Sequence, residues 1–579
     1  MIRIFKHLTK TEIILAFIGF LLILMQVSLD LTLPDYMSEI TRLVQTKGSV
    51  IEDILVAGSK MLGCALGSLV LAVCVSIIAS KMASNFSAKL RKEVFTKVQD
   101  FSKNEINNFS TPSLITRTTN DITQVQMLIV MGLQVLIKAP LTALWAITKI
   151  LDKNITWTYA VIIAVVILLT VVGICVLLVS PRFKKIQKLT DDINRVTREH
   201  LTGLNVIRAY NREKYQENKF EEVNSTLMKT NLFTNRTMSF MMPTIQGIMN
   251  GLLLAIYFIG ATLINEASIE NKLTLFSDMV VFSSYSIQII MSFMMLVMIF
   301  ILLPRASVAA KRILEVLDKK ISIVSGNIEK SNSKLKGEVE FKNVYFKYDD
   351  AEDYVLNDIS FKIKKGETLA FIGSTGSGKS TIIDLIPRFF DTTKGEVLVE
   401  GVNVKDYKLD VLRKKIGYIS QKAIILSGTI NSNVSYGEDN IDNVKQAVKI
   451  AQAEDFVLNI ENTYDGFVSA SGKNLSGGQK QRLSIARAIC RNADILIFDD
   501  SFSALDYKTD KLLRNELNTK CKNKTKIIVA QRIGTIKNAD KIIVIEDGII
   551  VGTGKHDSLL KTCEVYKEIA LSQLSKEEL

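Results

Sequence analysis

The chain has 579 residues, 48% of them hydrophobic, and a mean hydropathy of +0.22, which is enough apolar surface for several packed units and too much for a disordered chain. A formal charge of +13 raises the question of nucleic acid, but the Lys and Arg residues fall between long apolar runs, where membrane topology places them, so no nucleic-acid partner is expected. Cys64, Cys74, Cys175, Cys490, Cys521 and Cys563 are scattered with no CxxC, and His7, His200 and His556 form no cluster, which argues against a disulfide framework and against a zinc site.

Six apolar stretches of about 20 residues or more lie near Ile13–Leu33, Ile54–Ala79, Met127–Leu151, Thr158–Ser180, Phe240–Ile264 and Phe276–Leu303, each long enough to span a lipid bilayer. The first is too long for a signal peptide, lacks a small-residue cleavage site and is followed by five more. With that span starting near residue 13, no N-terminal protease domain is expected. Residues 80–126 hold about seven Lys/Arg and 181–239 about twelve, against one or two in each of the other loops, so both termini and the two long loops are expected on the cytoplasmic side. Those two loops are polar and rich in helix formers, as in "DDINRVTREHLTGLNVIRAYNREKYQENKFEEVN". Helices continuing from the membrane at 1.5 Å per residue would carry their tips some tens of Å beyond it, within reach of a soluble domain; a merely solvated charged face is the alternative.

Nine of the 17 methionines fall between Met238 and Met298. Flexible, polarisable side chains suit a pocket for varied apolar ligands, and equally suit lipid-facing filler. Lys138 ("LIKAPL") sits inside the third span, where a charge is costly. Lining a pathway, snorkelling and pairing with a neighbouring helix all remain open for it.

After Pro304, a helical run ("RASVAAKRILEVLDKK") leads to a polar linker, giving expected boundaries of 1–318 for the membrane domain, 319–336 for the linker and 337–579 for a second domain. "GEVEFKNVYFKY", "TLAFIG", "DILIFD" and "KIIVA" read as strands with helical segments between them, an α/β core with parallel strands. "GSTGSGKST" (Gly373, Ser374, Thr375, Gly376, Ser377, Gly378, Lys379, Ser380, Thr381) follows a buried strand and opens a helix. That is a P-loop: small residues let backbone N–H groups wrap a phosphate, Lys379 would reach the β- and γ-phosphates, and Ser380 would ligate Mg²⁺. Asp499 ends the strand "ILIFD" about 120 residues later, where a Mg²⁺-directing carboxylate belongs. In "LSGGQKQRLSIARA", Ser476, Gly477, Gly478 and Gln479 open an amphipathic helix and build a second anion site from helix-terminal amides and a hydroxyl.

The P-loop, "LSGGQ" and "DD…SALD", in this order behind six spans, resemble an ATP-binding cassette (ABC) exporter half-transporter. The resemblance extends to "LITRTTND" (114–121) and "VIRAYNRE" (206–213). It implies an all-α six-helix transmembrane domain fused to an α/β P-loop NTPase nucleotide-binding domain, with ATP and Mg²⁺ as cofactors. It also implies two such chains, with ATP between the P-loop of one and the signature of the other. Carried onto this sequence, it makes Tyr348 the aromatic that stacks on adenine and Gln421 the glutamine at Mg²⁺ and the attacking water. Ser476–Gln479 would then face the partner's γ-phosphate, Ser503–Asp506 would cross the dimer interface, and the tips near 101–112 and 211–219 would be coupling helices.

Three positions depart from the family pattern. Asp500 stands where the general-base glutamate is usual, Gln531 where the switch histidine is usual, and Ala470 where a glutamate often precedes the signature. One methylene fewer withdraws the Asp500 carboxylate by roughly 1.5 Å, a large shortfall against the about 2.6–3.2 Å reach of a general base. Gln531 can hydrogen-bond a phosphate but cannot supply the positive charge of an imidazolium. The resemblance is therefore to the degenerate-site subunit of heterodimeric bacterial multidrug exporters. In that reading this chain's own site binds ATP and hydrolyses it slowly, while its signature completes the site of a second half-transporter that has the glutamate and histidine. A homodimer with Asp500 as a working base, or an ATP-gated channel or regulator, is the alternative. The expected setting is multi-pass in a bacterial plasma membrane, and the expected cargo is a small molecule, lipid or peptide moved outward.

Overall fold

The computed structural model describes residues 2–46, 48–151, 155–349, 351–436 and 440–573. Its contacts divide the chain into two compact units. One comprises residues up to Val98 together with Pro112–Lys319; the other comprises Gln99–Thr111 and the chain from Lys320 onward.

The first unit is helical. It contains α1 (Lys10–Gln45) and α2 (Ile51–Gln99), which is followed in the chain by α3 (Lys103–Phe109) of the other unit. Then come α4 (Thr111–Thr118), α5 (Asn120–Met131), a π-helical stretch (Gly132–Lys138) and α6 (Ala139–Leu151), which form one continuous rod. The unit closes with α7 (Ile155–Thr202), α8 (Leu204–Ala209), α9 (Glu213–Glu266) and α10 (Ile269–Leu317). Six of these rods are long and apolar enough to cross a membrane. At 54 residues α9 is about 81 Å long, far beyond a hydrocarbon core of about 30 Å, so the polar loops do continue the spans as helices. Large apolar side chains such as Ile162, Leu169 and Leu177 lie exposed along α7, a surface that suits lipid or another protein rather than water.

Lys138 proves to be paired. Its Nζ lies 3.0 Å from Oδ2 of Asp30 on α1, and Ser68 donates to the other oxygen of Asp30. A second pair joins Lys149 to Asp35 at 2.8 Å, and the buried Tyr285 of α10 donates to Asp35 at 2.8 Å. Charges that would be costly in hydrocarbon thus neutralise one another between α1, the third span and α10. Of the methionines in the last two spans, Met279 is buried, whereas Met242, Met291 and Met295 are exposed.

The second unit opens with the linker, which is anchored rather than free. Ile328 pairs with Tyr407 as an isolated parallel bridge, and Gly326 N–H donates to the Tyr407 carbonyl at 2.9 Å. Among the described residues twelve strands follow: β1 (Val339–Phe346), β2 (Leu356–Ile363), β3 (Thr368–Ile372), β4 (Lys394–Val399), β5 (Val402–Asn403), β6 (Ile416–Ile419), β7 (Gly428–Thr429), β8 (Phe467–Val468), β9 (Ile495–Asp499), β10 (Thr525–Val529), β11 (Lys541–Glu546) and β12 (Ile549–Gly554). The central sheet has the order β12-β11-β3-β10-β9-β6, parallel from β11 to β6 with β12 antiparallel at one edge. A second sheet, β2-β1-β4-β5, is antiparallel. Because strand side chains alternate faces, Ala370, Ile372, Leu496 and Phe498 enter one buried cluster. Leu369, Phe371, Ile495 and Ile497 enter the other, against the antiparallel sheet. Both faces of the parallel sheet are covered, which is why its strands read as unbroken apolar runs.

The Lys138 pair is testable. Lys138→Met should strand Asp30 and cost about 2 kcal/mol, less than the about 3–5 kcal/mol of a fully buried pair because each side chain keeps some exposure. Lys138→Met combined with Asp30→Asn should recover most of the loss of thermal midpoint in lipid nanodiscs; an additive double variant would refute the pairing.

Candidate nucleotide site

The parallel strands place four loops at one edge, because parallel strands end together. The P-loop leaves β3, Gln421 follows β6, Asp499 and Asp500 end β9, and Gln531 follows β10. The P-loop then turns into α11 (Lys379–Leu385). Its glycines are dictated by space and backbone. A Cβ on Gly373 would stand 2.0 Å from the Ile545 carbonyl oxygen, and Gly378 has φ +95° with a Cβ position 2.7 Å from Leu356, a backbone region that L side chains rarely enter. Ser374, Thr375 and Gly376 are exposed at the mouth of the loop, while Ser377, Gly378 and Lys379 are buried. The Lys379 ammonium donates to the carbonyls of Gly373 (3.0 Å) and Ser374 (2.5 Å) and to Ser377 Oγ (3.1 Å). Burial holds its pKa below that of an ordinary lysine, against the pull of Asp500 and Asp499.

Ser380 Oγ donates to Asp499 Oδ1 at 2.9 Å, so the two side chains expected to hold Mg²⁺ already meet. No cluster of three or more His, Cys, Asp or Glu suited to a metal exists among the described residues. A hydroxyl and one carboxylate, completed by phosphate oxygens and water, fit Mg²⁺, which is rarely caged by protein alone. When bound, the ion would neutralise charge on the phosphates of ATP, with Ser380, Asp499 and Gln421 as the protein groups in reach. Tyr348 packs edge-on against Phe346 and Phe390 at 4.9 and 5.4 Å, and its hydroxyl lies 3.1 Å from Thr381 Oγ1. This locates the aromatic above the start of α11, with 38% of its surface open for stacking.

Asp500 has a left-handed backbone (φ +46°), a conformation that costs a non-glycine residue energy. Its N–H bonds the Val529 carbonyl at 3.0 Å. Its Oδ2 accepts from Gln531 Nε2 at 2.9 Å and, more weakly, from Gln421 Nε2 at 3.4 Å. The three positions that carry the chemistry in the sequence reading are therefore gathered on one oxygen. Burial pushes both Asp499 and Asp500 above the usual carboxylate range.

The signature lies apart from this cluster. Ser476 caps the helix Gly477–Cys490 and forms a reciprocal capping box with Gln479 (3.3 and 2.8 Å). Ser476 and Gly477 are exposed, and a Cβ on Gly478 would stand 3.4 Å from the Ala504 carbonyl oxygen of the "SALD" loop. Asp506 caps the following helix, Tyr507–Lys520. Ala470 stands in an exposed 3₁₀ turn ahead of the signature. The sequence reading overlooked Asp384, Tyr418 and Lys103. Asp384 does leave a trace, a carboxylate in the otherwise apolar "TIIDLI"; Lys103, 281 residues away from it, leaves none.

A P-loop NTPase behind a six-helix membrane unit is thus the class that the fold and site define. The comparisons refine it. Residues 16–318 match the ABC transporter transmembrane region family and residues 356–503 match the ABC transporter family. The uncharacterized ABC transporter ATP-binding protein YfiB of Bacillus subtilis is 33% identical over 98% of each chain, and an uncharacterized counterpart in Mycobacterium tuberculosis is 36% identical over 89% of this chain and 88% of its own length. The ATP-dependent lipid A-core flippase of Saccharophagus degradans is 31% identical over 86% of this chain and 83% of its own. A bacterial Atm1-family ABC exporter solved with ATP bound shares the fold, with a TM-score of 0.79 at 22% identity over 98% of this chain and 99% of that one. The chain belongs to the ABC transporter family, with the fold of an ABC exporter half.

The raised carboxyls set a pH dependence. They hold protons more tightly folded than unfolded, so the nucleotide-free domain should lose stability as pH rises from about 4 through their raised values. An Mg²⁺ ion held at Asp499 would need that carboxylate ionised, so Mg²⁺-dependent ATP binding should weaken as pH falls through that same raised value, by up to about tenfold per unit. Fluorescent-nucleotide titration against pH checks this; a midpoint at the ordinary carboxylate value would contradict it.

Proposed function

We propose that this chain is one half of an ATP-driven exporter that pairs with a different half-transporter. Its own P-loop site holds Mg²⁺-ATP and hydrolyses it slowly, and its "LSGGQ" completes a faster site on the partner. The observation that carries this reading is the pair of amide donors on Asp500 Oδ2. A shortened carboxylate whose oxygen is already engaged is poorly placed to take a proton from water, and Gln531 carries no charge to stabilise the transition state. The residues that bind nucleotide keep their full complement, so the deficit is in catalysis rather than in binding.

ATP would draw two nucleotide domains together, and the loops would pass that motion to the spans, so that access alternates between the two sides of the membrane. The distribution of Lys and Arg supports a cytoplasmic nucleotide domain and cytoplasmic termini, and the bacterial relatives support a plasma-membrane setting. The lipid A-core flippases among the relatives and the apolar, methionine-rich last spans favour an amphipathic cargo: lipid, drug-like molecule or peptide.

A homodimer is the second reading, and one observation favours it: burial raises the proton affinity of Asp500, which strengthens it as a base. Turnover decides between the two. This chain alone in lipid should hydrolyse Mg²⁺-ATP at least tenfold more slowly than when co-purified with the product of an adjacent half-transporter gene. Asp500→Glu with Gln531→His should raise the lone chain's rate by tenfold or more. A lone wild-type chain turning over at tens per second, within the ordinary enzyme range, would establish Asp500 as a competent base and remove the case for an unlike partner.

A further inference from the structure

The last described helix, Glu564–Gln573, carries Tyr566, Ala570 and Gln573 at intervals of four and three residues, so all three fall on one face. Tyr566 and Ala570 are fully buried and belong to the cluster that also takes in Ile533, Ile536 and Leu559. The Tyr566 hydroxyl and His556 Nδ1 share a hydrogen bond of 2.8 Å, which fixes this helix against the one before it, His556–Thr562. Two buried side chains and one buried hydrogen bond thus set the position of the third residue of the face, Gln573.

What Gln573 meets is the loop that follows β10. Its Oε1 accepts from the Ile533 N–H at 2.9 Å, and its Nε2 donates to the Gln531 carbonyl at 2.8 Å. One amide therefore brackets Arg532, satisfying a donor on one side of it and an acceptor on the other. The loop does not supply this cap itself. The short helix Ile533–Ile536 has Arg532 at its cap position with no side-chain hydrogen bond from it, and the first N–H groups of a helix have no partner within it. The bracketed turn matters because of what it carries. Gln531 Nε2 donates to Asp500 Oδ2 at 2.9 Å. Burial raises the proton affinity of Asp500, and the positive charge of Arg532 acts against it. Gln531 is exposed, and a hydrogen bond within reach of water is readily exchanged for one to water. Where its side chain points therefore depends on where its backbone is held, and Gln573 holds that backbone.

We propose that Gln573 is a positioning residue for the reaction: from the helix Glu564–Gln573 it fixes the turn 531–533, and so sets where the side chain at 531 stands relative to the carboxylate at 500. It acts through the backbone of Gln531 rather than on the nucleotide. The proposal rests on ATP binding and cleavage at this P-loop, and on neither an unlike partner nor the identity of the base. Its consequence is that the seat of one helix on the buried cluster bears on the chemistry, through bonds that span 40 and 42 residues of chain.

The test uses the full chain in nanodiscs of phosphatidylglycerol and phosphatidylethanolamine. Hydrogen exchange is followed over residues 530–537, and ATP binding is measured separately by displacement of a fluorescent ATP analogue. The kcat and KM for Mg²⁺-ATP are read on whichever of the wild type and Asp500→Glu with Gln531→His turns over faster, so the result does not hang on which has the competent base. Gln573→Met keeps the length of the side chain and removes its amide. It should speed exchange of the loop about fivefold, in keeping with the loss of two backbone hydrogen bonds in a partly exposed setting. It should also lower kcat by about threefold or more, with KM for ATP held within about twofold because the P-loop and Tyr348 still bind the nucleotide. Gln573→Glu keeps an acceptor for the Ile533 N–H but turns an oxygen toward the Gln531 carbonyl, and should lower kcat by about twofold or more. An unchanged kcat in either variant overturns the proposal, because the loop then needs no clamp. Losses spread alike over kcat, KM and the exchange of residues 564–572 also overturn it, because Gln573 then only holds its own helix. ATP bound but cleaved by neither chain overturns the proposal alone. No ATP binding by either chain overturns it together with the nucleotide reading beneath it.

Discussion

Parallel pairing of β6, β9, β10 and β3 is the constraint on which the rest of the site depends. Parallel strands in register must end on the same edge, and here Asp499 stands opposite Val529, which in turn stands opposite Phe371. The loops after those residues therefore emerge side by side, although they come from positions 373, 421, 499 and 531 of the chain. Crossover connections make such a sheet buried on both faces, and its open edge is where α/β proteins gather their ligand groups. The bond from Ser380 to Asp499 is a direct consequence: a helix start after one strand and a carboxylate at the end of another, two places away, come within hydrogen-bond distance.

The same edge explains why Asp500 and Gln531 act as a unit. Asp500 is held in a left-handed conformation, and its amide is fixed on the carbonyl of Val529, the last residue of the strand that leads to Gln531. With the backbone so constrained, the reach of the carboxylate is set by side-chain length alone, and nothing in the loop can extend it. The amide of Gln531 donates to Oδ2 of that buried carboxylate at 2.9 Å. Two departures from the family pattern thus meet as one interaction, which is the physical ground for treating them as coordinated.

In the membrane unit the governing cost is desolvation. Four charged side chains within or beside the spans are tolerable because Lys138 meets Asp30 and Lys149 meets Asp35, with Ser68 and Tyr285 completing the carboxylates. Similar economy governs the buried Asp384, held between a lysine and a tyrosine. In each case a charge is paired with a partner remote in the chain, and so these pairs fasten elements that the sequence keeps apart.

Much of this was legible in the residues alone. The six spans were readable because hydrocarbon requires about 20 uninterrupted apolar residues, and the P-loop and signature because wrapping a phosphate with backbone amides demands small residues at fixed spacing before a helix. The unusual residues at 500 and 531 were visible as single letters. Their mutual bond was not, because it depends on the register of β9 against β10. Nor was the partner of Lys138, since local pattern tells that a charge lies inside a span and not what lies across from it. The contact of Lys103 with Asp384 joins residues 281 apart, with no periodicity or motif to connect them. Local chemistry and chain order, which the sequence alone determined, defined the six spans and the α/β character of the unit behind them. Which side chains share a hydrogen bond was decided only by the tertiary structure, because strand register and helix packing set distances that no local pattern encodes.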